Sequence, residues 1–285
     1  MYRDQITVIE GRRFGEERAL YNSRGIVLQH CSFDGEEDGE SALKESKDCR
    51  LVDCFCNLRY PFWHDEGLFL QGCELTPLCR AALWYSQDIL IENSKLHGIK
   101  ALRECRCITL REIDAVSAEF GWFCEDLTVL GGRFESEYFL LQTKKFRFDG
   151  VRFKGKYSFQ YVSDGLIENC DLDTKDAFWH AKNVTVKNST VRGEYLGWYS
   201  EGLTLINCKI IGTQPLCYCK GLRLENCEMI DTDLSFEKSD LHATLTAPIV
   251  SIKNPRSGRI VLPSAGEIIS DDPTAACDIV FTTNT

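Results

Sequence analysis

Residues 202–229, GLTLINCKIIGTQPLCYCKGLRLENCEM, hold two versions of one unit: GLTLINCKI begins at Gly202 and GLRLENCEM at Gly221. Each copy is indexed by its Cys or by the residue that replaces it. Working outward, the index falls at Cys31, Cys54, Cys73, Ser94, Ile113, Gly132, Val151, Cys170, Ser189, Cys208 and Cys227. From Ser94 to Cys227 the step is 19 every time, without slip. The earlier steps, 23, 19 and 21, put small insertions near the N-terminal end. Self-similarity at one fixed period marks a solenoid.

Five and three residues before the index the side chains are apolar, as in Leu222 and Leu224, Leu203 and Leu205, Val184 and Val186, or Ile89 and Ile91. Two residues after it comes another: Met229, Ile210, Val191, Leu172, Phe153, Phe134. Spacing of two puts such side chains on one face of a strand. Immediately before the index stands Asn or Gly, at Gly72, Asn93, Gly131, Gly150, Asn169, Asn188, Asn207 and Asn226. Both types tolerate a left-handed backbone. Each copy therefore reads as strand, left-handed corner, strand, with His30, Asp53 and Glu112 as exceptions at the corner. So short a period leaves no room for a helix. A leucine-rich repeat is excluded because Asn follows the last Leu by two residues, not three. A hexapeptide helix is excluded because 19 is not a multiple of six.

The expected fold is all-β: one right-handed parallel β-helix of about 19 residues per coil, with eleven to twelve coils and terminal caps. The GLRLENCEM corner resembles the asparagine ladder of the pectate-lyase-like β-helix superfamily. GEERALY (15–21), GESALKES (39–46), RYPFWH (59–64) and the tail SIKNPRSGRI to GEII (251–269) resemble an uncharacterised bacterial family of such helices. The resemblance covers nearly the whole chain and implies the fold. It brings no activity with it. In the superfamily, saccharides often lie along one strand of the helix.

A single domain, 1–285, is expected: residues 1–24 as N-terminal cap, 25–246 as coils and 247–285 as closing strands. Short strands are read at 6–9, 249–252, 259–262, 266–269 and 278–282, an acidic loop at 34–41, and a loose end at TTNT. The net charge is −10 with no Lys/Arg block, which argues against nucleic acid. No apolar stretch is long enough to cross a bilayer as a helix, so no membrane partner is expected. The N-terminus shows no apolar leader, so the cytoplasm is the expected location. Of 15 cysteines, 11 fall in inward slots, as a ladder of buried thiols in a reducing compartment would. The CxC pairs at 54–56, 105–107 and 217–219 lack zinc spacing and are read as sharing a core face. No metal and no cofactor is expected.

Ten residues before the index runs a further strand. All five tryptophans occupy one slot of it: Trp63, Trp84, Trp122, Trp179 and Trp198, with Lys44 and Arg103 on other coils. The preceding slot (Leu43, Phe62, Leu83, Leu102, Phe178) and the slot two beyond the Trp (Ser46, Ser86, Cys105, Ser200) read as inward. Lys44 and Arg103 resist burial, so the Trp column is placed outside. The next slot, with Glu45, His64, Tyr85, Glu104, Tyr161, His180, Tyr199 and Tyr218, reads as outward too. Two adjacent outward residues require a bulge or corner there.

An outward ladder of Trp, Tyr and His suits the faces of sugar rings, with charged neighbours to bond hydroxyls. The expected ligand-binding residues are Lys44, Glu45, Trp63, His64, Trp84, Tyr85, Arg103, Glu104, Trp122, Trp179, His180 and Trp198, and the expected partner is a saccharide or glycoconjugate. The rival readings are a polysaccharide lyase or glycosidase, and a scaffold that self-associates through the aromatic face or its caps. His64, Arg103 and Glu104 are the candidates for an elimination, Asp65 joins their charged group, and Asp176, His180 and Lys182 form a second. Glu45 and Glu104 are three rungs apart, and Glu119 is placed more than ~10 Å from Glu104, too far for a hydrolase pair.

Overall fold

The computed structural model describes residues 7–35 and 39–282; Ile6 of the expected opening strand, Glu36–Asp38 of the acidic loop and the last three residues of TTNT lie outside the described residues. It divides into two compact units, Met1–Ser136 and Glu137–Thr285. Both are built from parallel strands, and no helix occurs among the described residues. The architecture is a right-handed parallel β-helix.

In the first unit, one ladder joins Thr7–Glu10, Ile26–Gln29, Arg50–Val52, Glu66–Gln71, Gln87–Glu92, Arg106–Arg111 and Glu125–Leu130. A second joins the short strands that follow each corner, from Arg13–Phe14 to Arg133–Ser136. A third joins Phe62–Trp63, Leu83–Trp84 and Leu102–Arg103. Register follows the period: Ile89 pairs with Ile108 and Leu68, Leu96 with Ala115. The second unit repeats the first two ladders, and its strand Leu222–Ile230 runs through both.

Parallel pairing also enters both expected caps. Thr7–Glu10 pairs with Ile26–Gln29, and Asp240–Leu245, Ser257–Leu262 and Asp278–Phe281 pair in turn, as do Ile249–Lys253 and Ala265–Ile269. The described residues accordingly make about 14 turns, more than the eleven to twelve read from the index column. That column is lost after Cys227 because the register shifts between Leu224 and Cys227, which brings Leu245 opposite Cys227.

Left-handed corners hold the coil together. The Asn/Gly slot has positive φ throughout, including the three exceptions His30 (51°), Asp53 (52°) and Glu112 (47°). A corner that the repeat pattern did not reveal lies six residues before the index, at Asp48, Asp88, Cys107, Asp126, Asp164 and Asn183, all with φ between 51° and 58°. Asn226 donates to Asn207 Oδ1 (2.9 Å) and Asn207 to Asn188 Oδ1 (3.2 Å), so the side chains bond from rung to rung.

The preference for Cys and Ser after a corner has a local cause. Each donates to the carbonyl two residues earlier: Cys73 Sγ to Gln71 (3.4 Å), Ser94 Oγ to Glu92 (2.7 Å), Ser189 Oγ to Lys187 (2.6 Å) and Cys208 Sγ to Ile206 (3.3 Å). A small donor thus satisfies a carbonyl that the bend turns inward. Thirteen cysteines are buried, the 11 expected plus Cys79 and Cys217. Cys107 is exposed, contrary to its reading as half of a core-facing pair, because its left-handed φ of 51° breaks strand alternation. In the second unit, Gly165 stands in register between Phe146 and Val184 of the adjacent coils. A Cβ there would run into the Phe146 ring. The glycine makes room for a cluster of Phe139, Phe146, Phe148, Phe153 and Phe159.

Candidate functional site

The column one residue past the Trp slot is itself a corner. Glu45, His64, Tyr85, Glu104 and Phe123 in the first unit, and Gln142, Tyr161, His180, Tyr199 and Tyr218 in the second, all have φ between 51° and 63°. Bulky residues rarely adopt this conformation. The expected corner is therefore present, and it holds rings where Gly or Asn would be cheaper.

The rings offset that strain by stacking. In the second unit Tyr161, His180, Tyr199 and Tyr218 lie face to face, with centroids 4.8, 5.1 and 4.9 Å apart and planes within 12°. Trp179 and Trp198 stack beside them at 5.5 Å and 3°. In the first unit His64 stacks on Tyr85 at 5.1 Å and 17°. Trp63 meets Trp84 edge-on at 5.2 Å and 72°. The expectation that successive rings offer their faces to a sugar chain is corrected here. In the corner column, rings that follow one another at rung spacing have their faces against each other and their edges outward.

The Trp column, placed outside by the sequence, is half-buried, and its indole N–H groups are tied down. Trp63 Nε1 donates to the Ala81 carbonyl (2.6 Å), Trp179 Nε1 to Tyr195 (2.7 Å) and Trp198 Nε1 to Gln214 (2.8 Å), each on the next coil. Trp84 Nε1 donates to Glu104 Oε1 (3.3 Å). Lys44 puts its ammonium 6.0 Å from the Trp63 ring centre, and Glu45 accepts from the Tyr21 hydroxyl (2.6 Å).

Arg103 takes the place of a tryptophan. Its guanidinium lies 4.8 Å from the Trp84 ring centre and 5.3 Å from that of Trp122. Its Nε is 3.5 Å from Glu104 Oε1, and a terminal nitrogen is 4.0 Å from Glu119 Oε2. Lys100 Nζ also approaches Glu119 Oε2 (3.8 Å). Both carboxylates therefore converge on one guanidinium, although rung counting keeps them apart. Held this way, Arg103 is a rung of the column.

Asp65 does not belong to the surface group in which the sequence places it. It is 2% exposed and occupies the inward slot of Ser46 and Ser86. Its Oδ1 accepts the Ser46 backbone N–H (3.0 Å), while the buried Oδ2 has no hydrogen bond among the described residues. Burial pushes its carboxyl up to about 8. Of the second charged group, Asp176 is nearly buried, and desolvation raises its pKa. Lys182 is engaged by Glu201 (3.4 Å).

The corner stack of the first unit is interrupted. Glu104 follows Tyr85, so no corner ring of the next coil stacks on Tyr85, whose ring lies against His64 and, at 5.6 Å and 22°, against Trp84. Next to Tyr85 is a cavity of about 240 Å³ lined by Tyr85, Ser86, Gln87, Glu104 and Arg106. Gln87 and Arg106 are register partners on adjacent strands. The sequence reading missed both, because they lie past the corner at the start of the next strand. The only available signal was their fixed offset of two residues from Tyr85 and Glu104. Among the described residues no cluster of three or more His, Cys, Asp or Glu side chains suits a metal ion.

The fold and this surface define a right-handed parallel β-helix with an outward aromatic corner. The chain belongs to DUF3737, a family of proteins of unknown function, which it matches over residues 7–280. Among curated proteins none matches it. Solved structures similar to it include the catalytic domain of a GH87 alpha-1,3-glucanase in complex with nigerose, at TM-score 0.42 and 10% identity over 82% of this chain. The chain spans 61% of that domain. The A-module of the Azotobacter vinelandii mannuronan C-5 epimerase AlgE4 gives TM-score 0.35 and 10% identity, over 82% of this chain and 86% of the module. PfbA, a surface adhesin of Streptococcus pneumoniae, gives 0.39 and 9%, over 85% and 77%. At these identities no activity passes from them to this chain.

Proposed function

We propose that this protein binds carbohydrate at the aromatic column of its first unit. One observation carries the reading: Tyr85, 46% exposed, borders a cavity whose walls also hold Glu104, Arg106 and Gln87. An aromatic face accepts the C–H face of a pyranose, and a carboxylate with a guanidinium bonds its hydroxyls. Trp63, His64, Trp84, Arg103 and Trp122 hold this face in position. Lys44 and Glu45 flank it. Trp179, His180 and Trp198 belong to the closed stack of the second unit and take no part in this reading.

Tryptophan fluorescence tests it, since Trp84 lies 5.6 Å from the Tyr85 ring. Titration with a panel of monosaccharides and oligosaccharides should give a saturable change that Tyr85→Asn removes. Asn retains the left-handed corner while deleting the ring. A panel without any saturable response, or a response that Tyr85→Asn leaves intact, rejects the proposal. No hydrolytic or eliminative step is assigned.

A further inference from the structure

We infer that the cavity beside Tyr85 accepts one sugar ring, a free monosaccharide or the terminal residue of a glycoconjugate, and not the interior of a polysaccharide chain. This rests on the carbohydrate reading above and narrows it. A chain lying along the helix would need an open ring face on successive rungs. The second unit has none on successive rungs, since Tyr161, His180, Tyr199 and Tyr218 cover one another at 4.8–5.1 Å and only the outer sides of the two end rings lack a corner ring. Their outward edges offer hydroxyls and imidazole nitrogens but no stacking platform.

In the first unit the corner rings His64 and Tyr85 stack as a pair between the acidic rungs Glu45 and Glu104. Trp63 is held by its N–H bond to the next coil, so it does not swing out to cradle a second residue. The cavity, about 240 Å³, lies below the ~300–1,000 Å³ typical of sites for larger ligands.

The walls suit a single ring with adjacent hydroxyls. Glu104 Oε1 is fixed by Trp84 Nε1 (3.3 Å) and faces Arg103 Nε (3.5 Å), which orients the carboxylate. Its Oε2 carries no hydrogen bond among the described residues and is open to hydroxyl donors. Arg106, exposed on the adjoining strand, makes no ion pair among the described residues, so its N–H groups are available to ring and hydroxyl oxygens. Acceptor, donor and the exposed part of the Tyr85 ring meet at one point and do not repeat along the column.

The test compares chain lengths. Methyl pyranosides of glucose, galactose, mannose and N-acetylglucosamine are titrated calorimetrically alongside linear tetrasaccharides of the same sugars. The expected result is one preferred sugar whose pyranoside and tetrasaccharide bind within about threefold of each other. Tyr85→Asn and Glu104→Gln should each weaken both by about tenfold or more, while Tyr199→Asn leaves both unchanged. A tetrasaccharide at least about tenfold tighter than its monomer, with sensitivity to Tyr199→Asn, overturns the single-ring inference and leaves carbohydrate binding standing. Absence of binding by every sugar overturns both. All three variants keep a residue type that tolerates its backbone, and a thermal melt of each checks that it folds.

Discussion

Ser46 donates its backbone N–H to Asp65 Oδ1 across 3.0 Å inside the coil, where the next rung offers Ser86 Oγ to Asp65 N at the same distance. An acid thus stands in a column of hydroxyls. Ser86 also donates to Phe62 O (2.7 Å), as Ser239 does to Leu216 O (2.7 Å). Only a protonated Asp65 has a donor of that kind.

Asp65 should therefore make stability depend on pH. Its folded pKa, raised to about 8, exceeds the ordinary value of 3.8. The folded state binds the proton more tightly, so the stabilisation is complete below about pH 4 and is lost as pH rises toward 8. A shift of this size corresponds to about 6 kcal/mol at most. Asp65→Ser should raise the melting temperature at pH 8 clearly more than at pH 5. Equal gains at the two pH values would show that Asp65 is ionised in the fold.

Arg103 should behave as a structural cation. Arg103→Ala removes contacts to two indoles and leaves Glu119, with its buried Oε2, beside Lys100 alone. A loss of about 1–3 kcal/mol is expected in urea unfolding, with a change in tryptophan emission. Arg103→Lys should recover only part of it, since an ammonium neither stacks flat nor reaches two carboxylates as a planar fork. Full recovery by Lys would show that charge alone matters.

The ring stack should be separable from the corner that carries it. Tyr199 lies between His180 (5.1 Å) and Tyr218 (4.9 Å) at φ 59°. Tyr199→Asn forfeits stacking worth about 0.5–1.5 kcal/mol per pair but keeps the corner. Tyr199→Val forfeits the stacking and adds about 1–2 kcal/mol for a branched side chain in left-handed backbone. Equal denaturation midpoints for the two variants would contradict this account.

Thiol labelling should separate corner from core. Cys107, the exposed cysteine, should react first in the native protein, and faster as pH rises, because desolvation and the nearby Asp126 and Asp88 hold its thiol protonated. Cys277, pushed up to about 11 by desolvation and Asp278, should follow slowly. The thirteen buried thiols should react only on unfolding. Counting modified cysteines by mass spectrometry over a pH series decides it; rapid labelling of Cys54 or Cys208 would mean that the coils open.

Much of this molecule is legible in its sequence. The fixed period, the apolar pairs before Cys208 and Cys227, and Asn at 188, 207 and 226 require stacked parallel coils with left-handed corners, because backbone repetition leaves its mark on composition. The outward placement of Trp63, Trp84 and Arg103 follows from the same alternation. Tertiary structure alone decided how side chains meet across rungs. His180 shows Tyr199 a face and solvent an edge, Glu104 and Glu119 reach one guanidinium, and Asp65 points inward. A periodic pattern records where each Cβ lies. Rotamer, stacking and ionisation depend on neighbours one coil away in either direction, and those contacts determine which face of the column remains open.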